Sequence, residues 1–268
     1  IYTGVEELLG RFRAAHADDL RAEGVELQFH TKYVPDLDAL RALDRDAVEA
    51  TIDRSLARLG VERLDLVQFS WWDYRVPRYV EVAQWLSELR TAGKIRHVAA
   101  TNFDTHRVRE MLDAGVPLVS NQVQYSLLDR RPEHGLVALA QERGLALICY
   151  GALAGGLLTG RYAGAPPLEE PFANRSLLKY GLVVEEAGGW ERYQDLLRAL
   201  GAVAGRHGRS IADVALRWVL DRPAVACAMV GTFHGGHLEA NLGALALSFT
   251  DEDHAEIAAA LAALEDLD

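Results

Sequence analysis

Polar side chains follow the apolar, strand-like segments of this 268-residue chain where each segment ends. Lys32 closes the first segment, Ser70 the second and Asn102 the third, and Gln122 lies near the end of the fourth. A lysine, a hydroxyl and two amides can together bind and polarise a small molecule, because they supply a positive charge with several hydrogen-bond donors and acceptors. The pattern favours a polar site for a small molecule over side chains that merely face water.

Six apolar segments have the length and the β-branched content of buried strands. They are residues 25–31, 64–70, 95–101, 117–124, 145–150 and 225–230. Amphipathic helical patterns occur at 45–59, 79–92, 108–113, 133–143, 190–206, 211–220 and 238–246.

Strands that alternate with helices predict a parallel α/β fold, and a spacing of about 30 residues between strands fits a (β/α)8 TIM barrel. A doubly wound sheet is disfavoured, since the chain has no G-x-G-x-x-G fingerprint. Because six strands are recognised where a barrel needs eight, we expect the first two βα units to precede Ile1. We expect one domain over 1–268, with a long connection at about 151–190.

Composition excludes several classes of protein. The net charge of −11 disfavours a nucleic-acid partner, and no apolar run reaches the length of about 18 residues that a membrane helix needs. Two cysteines in apolar runs indicate buried thiols and not a disulfide framework. Without a secretory leader pattern, we expect a cytoplasmic protein. The histidines lack the spacing of metal ligands, so no metal site is predicted.

Five segments carry a resemblance to one known family. They are 1–10 (IYTGVEELLG), 93–103 (GKIRHVAATNF), 121–128 (NQVQYSLL), 150–162 (YGALAGGLLTGRY) and 229–245 (MVGTFHGGHLEANLGAL). In this order they resemble the aldo-keto reductase family along essentially the whole chain. The resemblance implies a (β/α)8 barrel that binds NADP(H) across its C-terminal rim and reduces aldehydes or ketones.

The resemblance assigns the proton donor to Tyr2 and the cation that lowers its pKa to Lys32. A free phenol has a pKa near 10, and a nearby ammonium lowers that pKa and makes the phenol a better acid. The family's aspartate would lie before Ile1. The family pattern Q-x-H-W reads QFSW at 68–71, so Ser70 replaces a histidine that orients the carbonyl. A hydroxyl still donates one hydrogen bond but reaches less far, so we expect slower reduction or a changed substrate.

Contacts with the cofactor are assigned, by the same resemblance, to two amides, a stacking aromatic ring, a small-residue loop, two loop arginines and the C-terminal stretch. These residues are Asn102, Gln122, Tyr150, Gly151, Leu153, Ala154, Gly155, Arg161, Arg175, Gly231, Phe233, His237 and Asn241. Phe233 stands where the family often has a partner for the 2′-phosphate, so NAD(H) is possible beside NADP(H). Trp71, Trp72 and Tyr125 are expected to wall the pocket for a small-molecule carbonyl substrate.

A rival hypothesis comes from another class of protein. The chain could keep the nucleotide site and act as a sensor or a structural subunit, or it could have adapted to non-redox chemistry. Ser70 and Phe233 both depart from the family pattern and favour this alternative. Turnover separates the two hypotheses, because a reductase consumes the reduced nucleotide and a sensor only binds it. The sequence does not predict an oligomeric state.

Overall fold

The computed structural model describes residues 4–172, 174–231, 236–265 and 267, with Gly236 and His237 described by their backbone alone. The helices of these residues are α1 (Val5–Ala15), α2 (Ala17–Ala22), α3 (Arg45–Leu59), α4 (Tyr79–Thr91), α5 (Thr105–Asp113), α6 (Leu136–Arg143), α7 (Arg175–Glu186), α8 (Gly189–His207), α9 (Ile211–Leu220), α10 (Gly236–Leu242) and α11 (Asp251–Ala262). The strands are β1 (His30–Tyr33), β2 (Leu64–Phe69), β3 (Ile95–Thr101), β4 (Leu118–Gln124), β5 (Ala146–Tyr150) and β6 (Val225–Met229).

The strands follow one another in chain order, β1-β2-β3-β4-β5-β6, in one six-stranded sheet of the described residues. Strands β1 to β4 pair in parallel, and so do β5 and β6. Helices separate most successive strands along the chain, as parallel strands require. The predicted alternating α/β fold is therefore confirmed.

The chain divides into two compact units, Ile1–Gln122 and Val123–Asp268, and the boundary falls inside β4. We refer to them as the N-terminal and the C-terminal unit. The prediction of one domain stays a prediction.

In the N-terminal unit, local signals fix α3. The side chain of Asp44 accepts a hydrogen bond from the Ala47 backbone N–H and caps the start, and Gly60 ends the helix in the left-handed conformation with φ 67°. Between these ends, Val48 and Ile52 are buried on one face. The helix ends at the predicted residues because both end signals lie within the helix's own sequence.

In the C-terminal unit, α8 and α9 form much of the core. The buried side chains of α8 include Tyr193 and Leu196, and those of α9 include Val214 and Trp218. Ser210 begins α9 with a reciprocal capping box, which satisfies backbone donors at the helix start.

Two predicted elements differ from the structure. Strand β1 begins at His30 and not at residue 25, because Val25 is 46% exposed and the register with β2 begins at His30. Of the preceding apolar run, Phe29 still bonds β2 through its carbonyl, which accepts from the Asp65 and Leu66 backbone N–H groups. Lys32 consequently lies within β1 and not after it. The connection at 151–190 is not a loop throughout, since it contains all of α7. No helix of the described residues is long and apolar enough to cross a lipid bilayer.

Candidate active site

The register of the sheet places the first candidate residues on one face of the N-terminal unit. Lys32 of β1 pairs with Gln68 of β2, and residues paired across neighbouring strands point to the same face. Ser70 lies two residues beyond Gln68, so its side chain starts from that face as well. On the next strands, Gln68 pairs with Ala99, and Thr101, two residues later, pairs with Gln122.

A direct hydrogen bond joins the two outer residues of this face. Lys32 Nζ donates to Gln122 Oε1 at 3.0 Å. Gln122 is only 7% exposed, whereas Lys32 is exposed as a residue. Partial removal of its ammonium from water lowers the pKa of Lys32 from its ordinary value. The contact brings together a lysine and an amide that stand 90 positions apart in the chain.

Asn102 lies beside this pair at the end of β3. Its backbone is left-handed with φ 60°, which an asparagine tolerates better than most residues. Its N–H donates to the Gln122 carbonyl at 2.9 Å. Asn121, fully buried, donates from its amide to the Phe103 carbonyl at 2.8 Å, so the turn around Asn102 is held from both sides. The sequence analysis missed Asn121, although it directly precedes Gln122.

The end of β2 carries Ser70 and the two tryptophans. The backbone N–H of Ser70 donates to the Tyr33 carbonyl at 3.0 Å. Trp71 is 5% exposed, and its indole N–H bonds within its own loop to the Asp73 and Val76 carbonyls. Trp72 is 51% exposed and lines a cleft of about 460 Å³. Trp71 therefore has a packing role, and the role of Trp72 as a wall of the substrate pocket stays a prediction.

The cleft at Trp72 is lined by side chains of positive and of negative charge. Arg75 and Asp73 form an ion pair, and the Arg75 hydrogen bonds lower the pKa of the Asp73 carboxyl from its ordinary value. Arg41 and Asp38 lie on the same lining. Positive and negative charges are therefore balanced beside an exposed aromatic face.

The C-terminal unit holds the loop after β5. Gly151 and Gly155 are both left-handed, with φ 71° and 65°. Tyr180 of α7 packs on both: a Cβ added at Gly151 would overlap its hydroxyl, and one added at Gly155 would lie 2.7 Å from its Cδ2. The glycines thus make room for a side chain of the protein itself.

Tyr150, at the end of β5, lies beside a cation. Lys179 of α7 places Nζ 4.9 Å from the centre of the Tyr150 ring and 5.0 Å from that of Tyr180. Burial raises the pKa of the Tyr150 phenol and lowers that of the Lys179 ammonium. The sequence analysis did not name Lys179 as a candidate site residue.

In the same unit, a buried carboxylate accepts hydrogen bonds from the residues around the end of β4. Asp129 is fully buried and accepts from Gln124 Nε2 at 2.6 Å. Arg131 donates to both oxygens of Asp129, at 2.9 and 2.6 Å. The Asp129 charge is therefore matched by a two-point guanidinium contact.

The remaining residues that the resemblance assigns to the cofactor differ in how far they are exposed. Arg161 and Arg175 are exposed, Leu153 is half-buried, and Ala154 is buried with φ 46°. Gly231 is exposed, and nothing lies within 4 Å of a Cβ added there.

Asn241 is half-buried on α10, which also carries His237, whose side chain lies outside the described residues. Tyr2 and Phe233 lie outside the described residues as well.

Tyr125 is placed differently from its predicted role. It is fully buried, its hydroxyl donates to Glu133 Oε1 at 2.7 Å, and its ring packs edge-on against Trp218. Burial and the Glu133 contact raise the pKa of its phenol. A ring enclosed on these sides serves packing within the unit, so the structure does not favour it as a pocket wall.

Comparison with known proteins identifies the family. The sequence model of the Aldo/keto reductase family matches residues 1–262, and the chain belongs to this family. A solved structure of the glycerol dehydrogenase AKR11B4 from Gluconobacter oxydans matches with a TM-score of 0.75 at 26% identity, covering 96% of this chain and 76% of that one. The predicted fold class is thereby confirmed.

Two curated relatives show the range of proteins that this chain resembles. The L-glyceraldehyde 3-phosphate reductase of Escherichia coli (strain K12) is 30% identical over 78% of this chain and 61% of its own length. The flagellar radial spoke protein 5 of Chlamydomonas reinhardtii is 30% identical over 82% of this chain and 48% of its own length. The chain thus spans about half to two thirds of the length of these curated relatives.

Proposed function

We propose that this chain takes part in the NAD(P)H-dependent reduction of a small aldehyde or ketone, or in the reverse alcohol oxidation. The observation that carries the proposal is the 3.0 Å contact between Lys32 Nζ and Gln122 Oε1. It joins the residue assigned to catalysis with a residue assigned to the nicotinamide, on a sheet face that also carries Ser70. Membership of the aldo-keto reductase family supports the same chemistry.

The proposed roles follow from the chemistry of each group. Tyr2 protonates the carbonyl oxygen, and the ammonium of Lys32 stabilises the phenolate and so lowers the pKa of the phenol. The hydroxyl of Ser70 donates one hydrogen bond toward the carbonyl. Fixed donors of this kind stabilise the developing alkoxide better than water does, because they need not reorient.

The residues present suit a nicotinamide nucleotide. A carboxamide needs both a donor and an acceptor, and the side-chain amides of Asn102 and Gln122 supply both kinds of group. The bound nucleotide supplies the hydride. We propose NADP(H) as the nucleotide, with NAD(H) possible because Phe233 offers no donor to a 2′-phosphate. The proposed substrate partner is a small carbonyl compound, and the cytoplasm is the proposed location.

The substitution Lys32→Met tests the proposal. We expect NAD(P)H consumption with a panel of aldehydes and ketones to fall by about a hundredfold or more, since activation of the acid is lost. Nucleotide binding, followed through the fluorescence of the five tryptophans, should change much less.

Lys94→Met is the matched control. Lys94 forms ion pairs with Glu49 and Asp53 at 2.8 and 2.6 Å, so the control removes an ammonium from the same unit but from a structural ion pair. It should leave turnover within about twofold of the unaltered chain. Equal losses in the two variants would contradict the proposed role of Lys32.

A second candidate function is nucleotide binding without turnover, in a sensor or a structural subunit. Ser70 in the place of the family's histidine favours it, and so does the similarity to a protein named as a flagellar radial spoke protein. A chain that binds NADPH or NADH and consumes neither with any carbonyl would establish this candidate instead. A chain that binds neither nucleotide at millimolar concentration would contradict both candidates.

A further inference from the structure

Lys179 is a cation in an unusual setting within the C-terminal unit. Its ammonium lies over the rings of Tyr150 and Tyr180, at 4.9 and 5.0 Å from their centres. Among the described residues, no carboxylate lies within ion-pair distance of its Nζ. In this protein of net charge −11, with 39 acidic residues, an ammonium held by aromatic faces alone calls for an explanation.

Packing sets the position of the helix that carries Lys179. The neighbouring Tyr180 is 7% exposed and lies on Gly151 and Gly155, so α7 is held against the loop that follows β5. Lys179 is the adjacent residue on the helix, and although it is exposed, its ammonium lies over the Tyr150 ring. The cation is therefore at the surface of the loop, where a ligand that reaches Tyr150 would also meet it.

The other nearby charges cancel. Asp129 and Arg131 are the charged groups that act most strongly on Lys179, one raising and the other lowering the pKa of its ammonium. They are paired with each other through two hydrogen bonds at 2.9 and 2.6 Å. The uncompensated charge beside the Tyr150 ring is therefore that of Lys179.

A charge at this place acts on one redox form of the nucleotide more than on the other. The nicotinamide ring is positively charged when oxidised and neutral when reduced. If the proposed function holds and the nicotinamide ring stacks on Tyr150 as the family resemblance implies, an ammonium 4.9 Å from the centre of the Tyr150 ring repels the oxidised form alone. We propose that Lys179 sets the preference of this site for the reduced nucleotide over the oxidised one.

The expected effect can be bounded. The two unit charges would lie on either side of one aromatic ring, on the order of 8 to 10 Å apart. The dielectric constant between them lies between the values for protein and for water. Their repulsion corresponds to a change of roughly threefold to thirtyfold in the ratio of the two dissociation constants. A direct contact between Lys179 and a phosphate would instead strengthen the binding of both forms equally, because both carry the same phosphates.

The experiment measures binding and not turnover. Isothermal titration calorimetry gives the Kd of NADPH, NADP⁺, NADH and NAD⁺ for the unaltered chain, Lys179→Met and Lys179→Arg. In Lys179→Met we expect the Kd of the oxidised form, divided by that of the reduced form, to fall roughly threefold to thirtyfold. Lys179→Arg keeps the charge and should keep the ratio.

Arg175→Met is the companion variant, because it removes a cation one helical turn earlier on α7. It should change the affinities for both redox forms by the same factor. An equal change for both forms in Lys179→Met would overturn the inference in favour of a phosphate contact. An unchanged ratio with unchanged affinities would overturn it outright.

Failure of the proposed function gives a different result. If the unaltered chain binds none of the four nucleotides, the proposed function and this inference both fall. If it binds them and the ratio does not respond to Lys179, the inference alone falls. Far-UV circular dichroism of each variant shows that a changed ratio does not come from unfolding.

Discussion

Replacing Gly151 with alanine tests whether Tyr180 really rests on the loop after β5. Gly151 has φ 71°, and a Cβ there would overlap the Tyr180 hydroxyl and lie 3.1 Å from two of its ring carbons. Gly144→Ala is the matched control, because Gly144 has φ 66° in the same unit and nothing lies within 4 Å of a Cβ there. Both variants place an alanine in the left-handed conformation, which costs stability, but only Gly151→Ala also displaces a neighbouring side chain.

The magnitudes follow from these two terms. A left-handed alanine costs about 1 kcal/mol, which is the whole expected loss for Gly144→Ala. Forcing a packed ring to move costs about 1 to 3 kcal/mol more, so we expect a loss of about 2 to 4 kcal/mol for Gly151→Ala. Adding Tyr180→Phe removes the overlapping hydroxyl and should restore about 1 kcal/mol, which a double-mutant cycle would show as coupling.

The assay is urea unfolding at pH 7, followed by far-UV circular dichroism and by tryptophan fluorescence. The free energy of unfolding of each variant is compared with that of the unaltered chain. If Gly151→Ala loses no more stability than Gly144→Ala, Tyr180 does not pack on Gly151. The account of how α7 is positioned would then be wrong.

Two further predictions concern the catalytic face and the stability of the C-terminal unit. Ser70→His should raise kcat/KM for carbonyl reduction about tenfold or more, because the imidazole donor reaches further; an unchanged value would indicate a site reshaped for other chemistry. Asp253→Asn should lower the free energy of unfolding by about 2 to 4 kcal/mol at pH 7, since the fully buried carboxylate accepts from Arg206, His207 and Thr250. Burial alone would raise the pKa of Asp253, but these hydrogen bonds outweigh it and hold the folded-state pKa below the ordinary 3.8. The stabilisation is therefore present above about pH 4 and is lost as the pH falls further, so urea unfolding at pH 7 and pH 3 should show the two chains converging in acid. A difference that is constant with pH would contradict this reasoning.

The elements with strong local signals could be predicted from the sequence. Helix α3 begins and ends at the predicted residues, because Asp44 and Gly60 act on their own neighbours. Strand β1 could not be placed in this way, since the apolar run before His30 resembles a strand in composition, while the register with β2 begins only at His30. Pairing with a distant segment is a property of the folded sheet and leaves no local mark.

Helix α7 did leave a mark that the sequence analysis overlooked. Asn174 caps it, and Leu177, Tyr180 and Val184 are buried at helical spacing. This helix lies inside the connection that was expected at about 151–190. The error mattered for the site, because α7 carries both Tyr180 and Lys179.

The contact between Lys32 and Gln122 shows what position along the chain can and cannot predict. The sequence placed both residues near strand ends, which was enough to predict a shared rim. The hydrogen bond depends on three successive strand registers, from β1 through β2 and β3 to β4. A shift by one residue in any of them would turn one side chain to the other face of the sheet.

The two halves of the candidate machinery therefore rest on arguments of different strength. The family resemblance assigns the glycines at 151 and 155 to a loop that a pyrophosphate approaches closely. In the structure, the packing of Tyr180 is sufficient to require both glycines, so their presence adds little to the case for a nucleotide. The lysine and the amide of the N-terminal unit have no comparable packing explanation. Lys32 is exposed and donates to the amide of Gln122, which is 7% exposed, so the ammonium is held at a place that a ligand can reach. The proposed nucleotide chemistry therefore depends on Lys32 and Gln122.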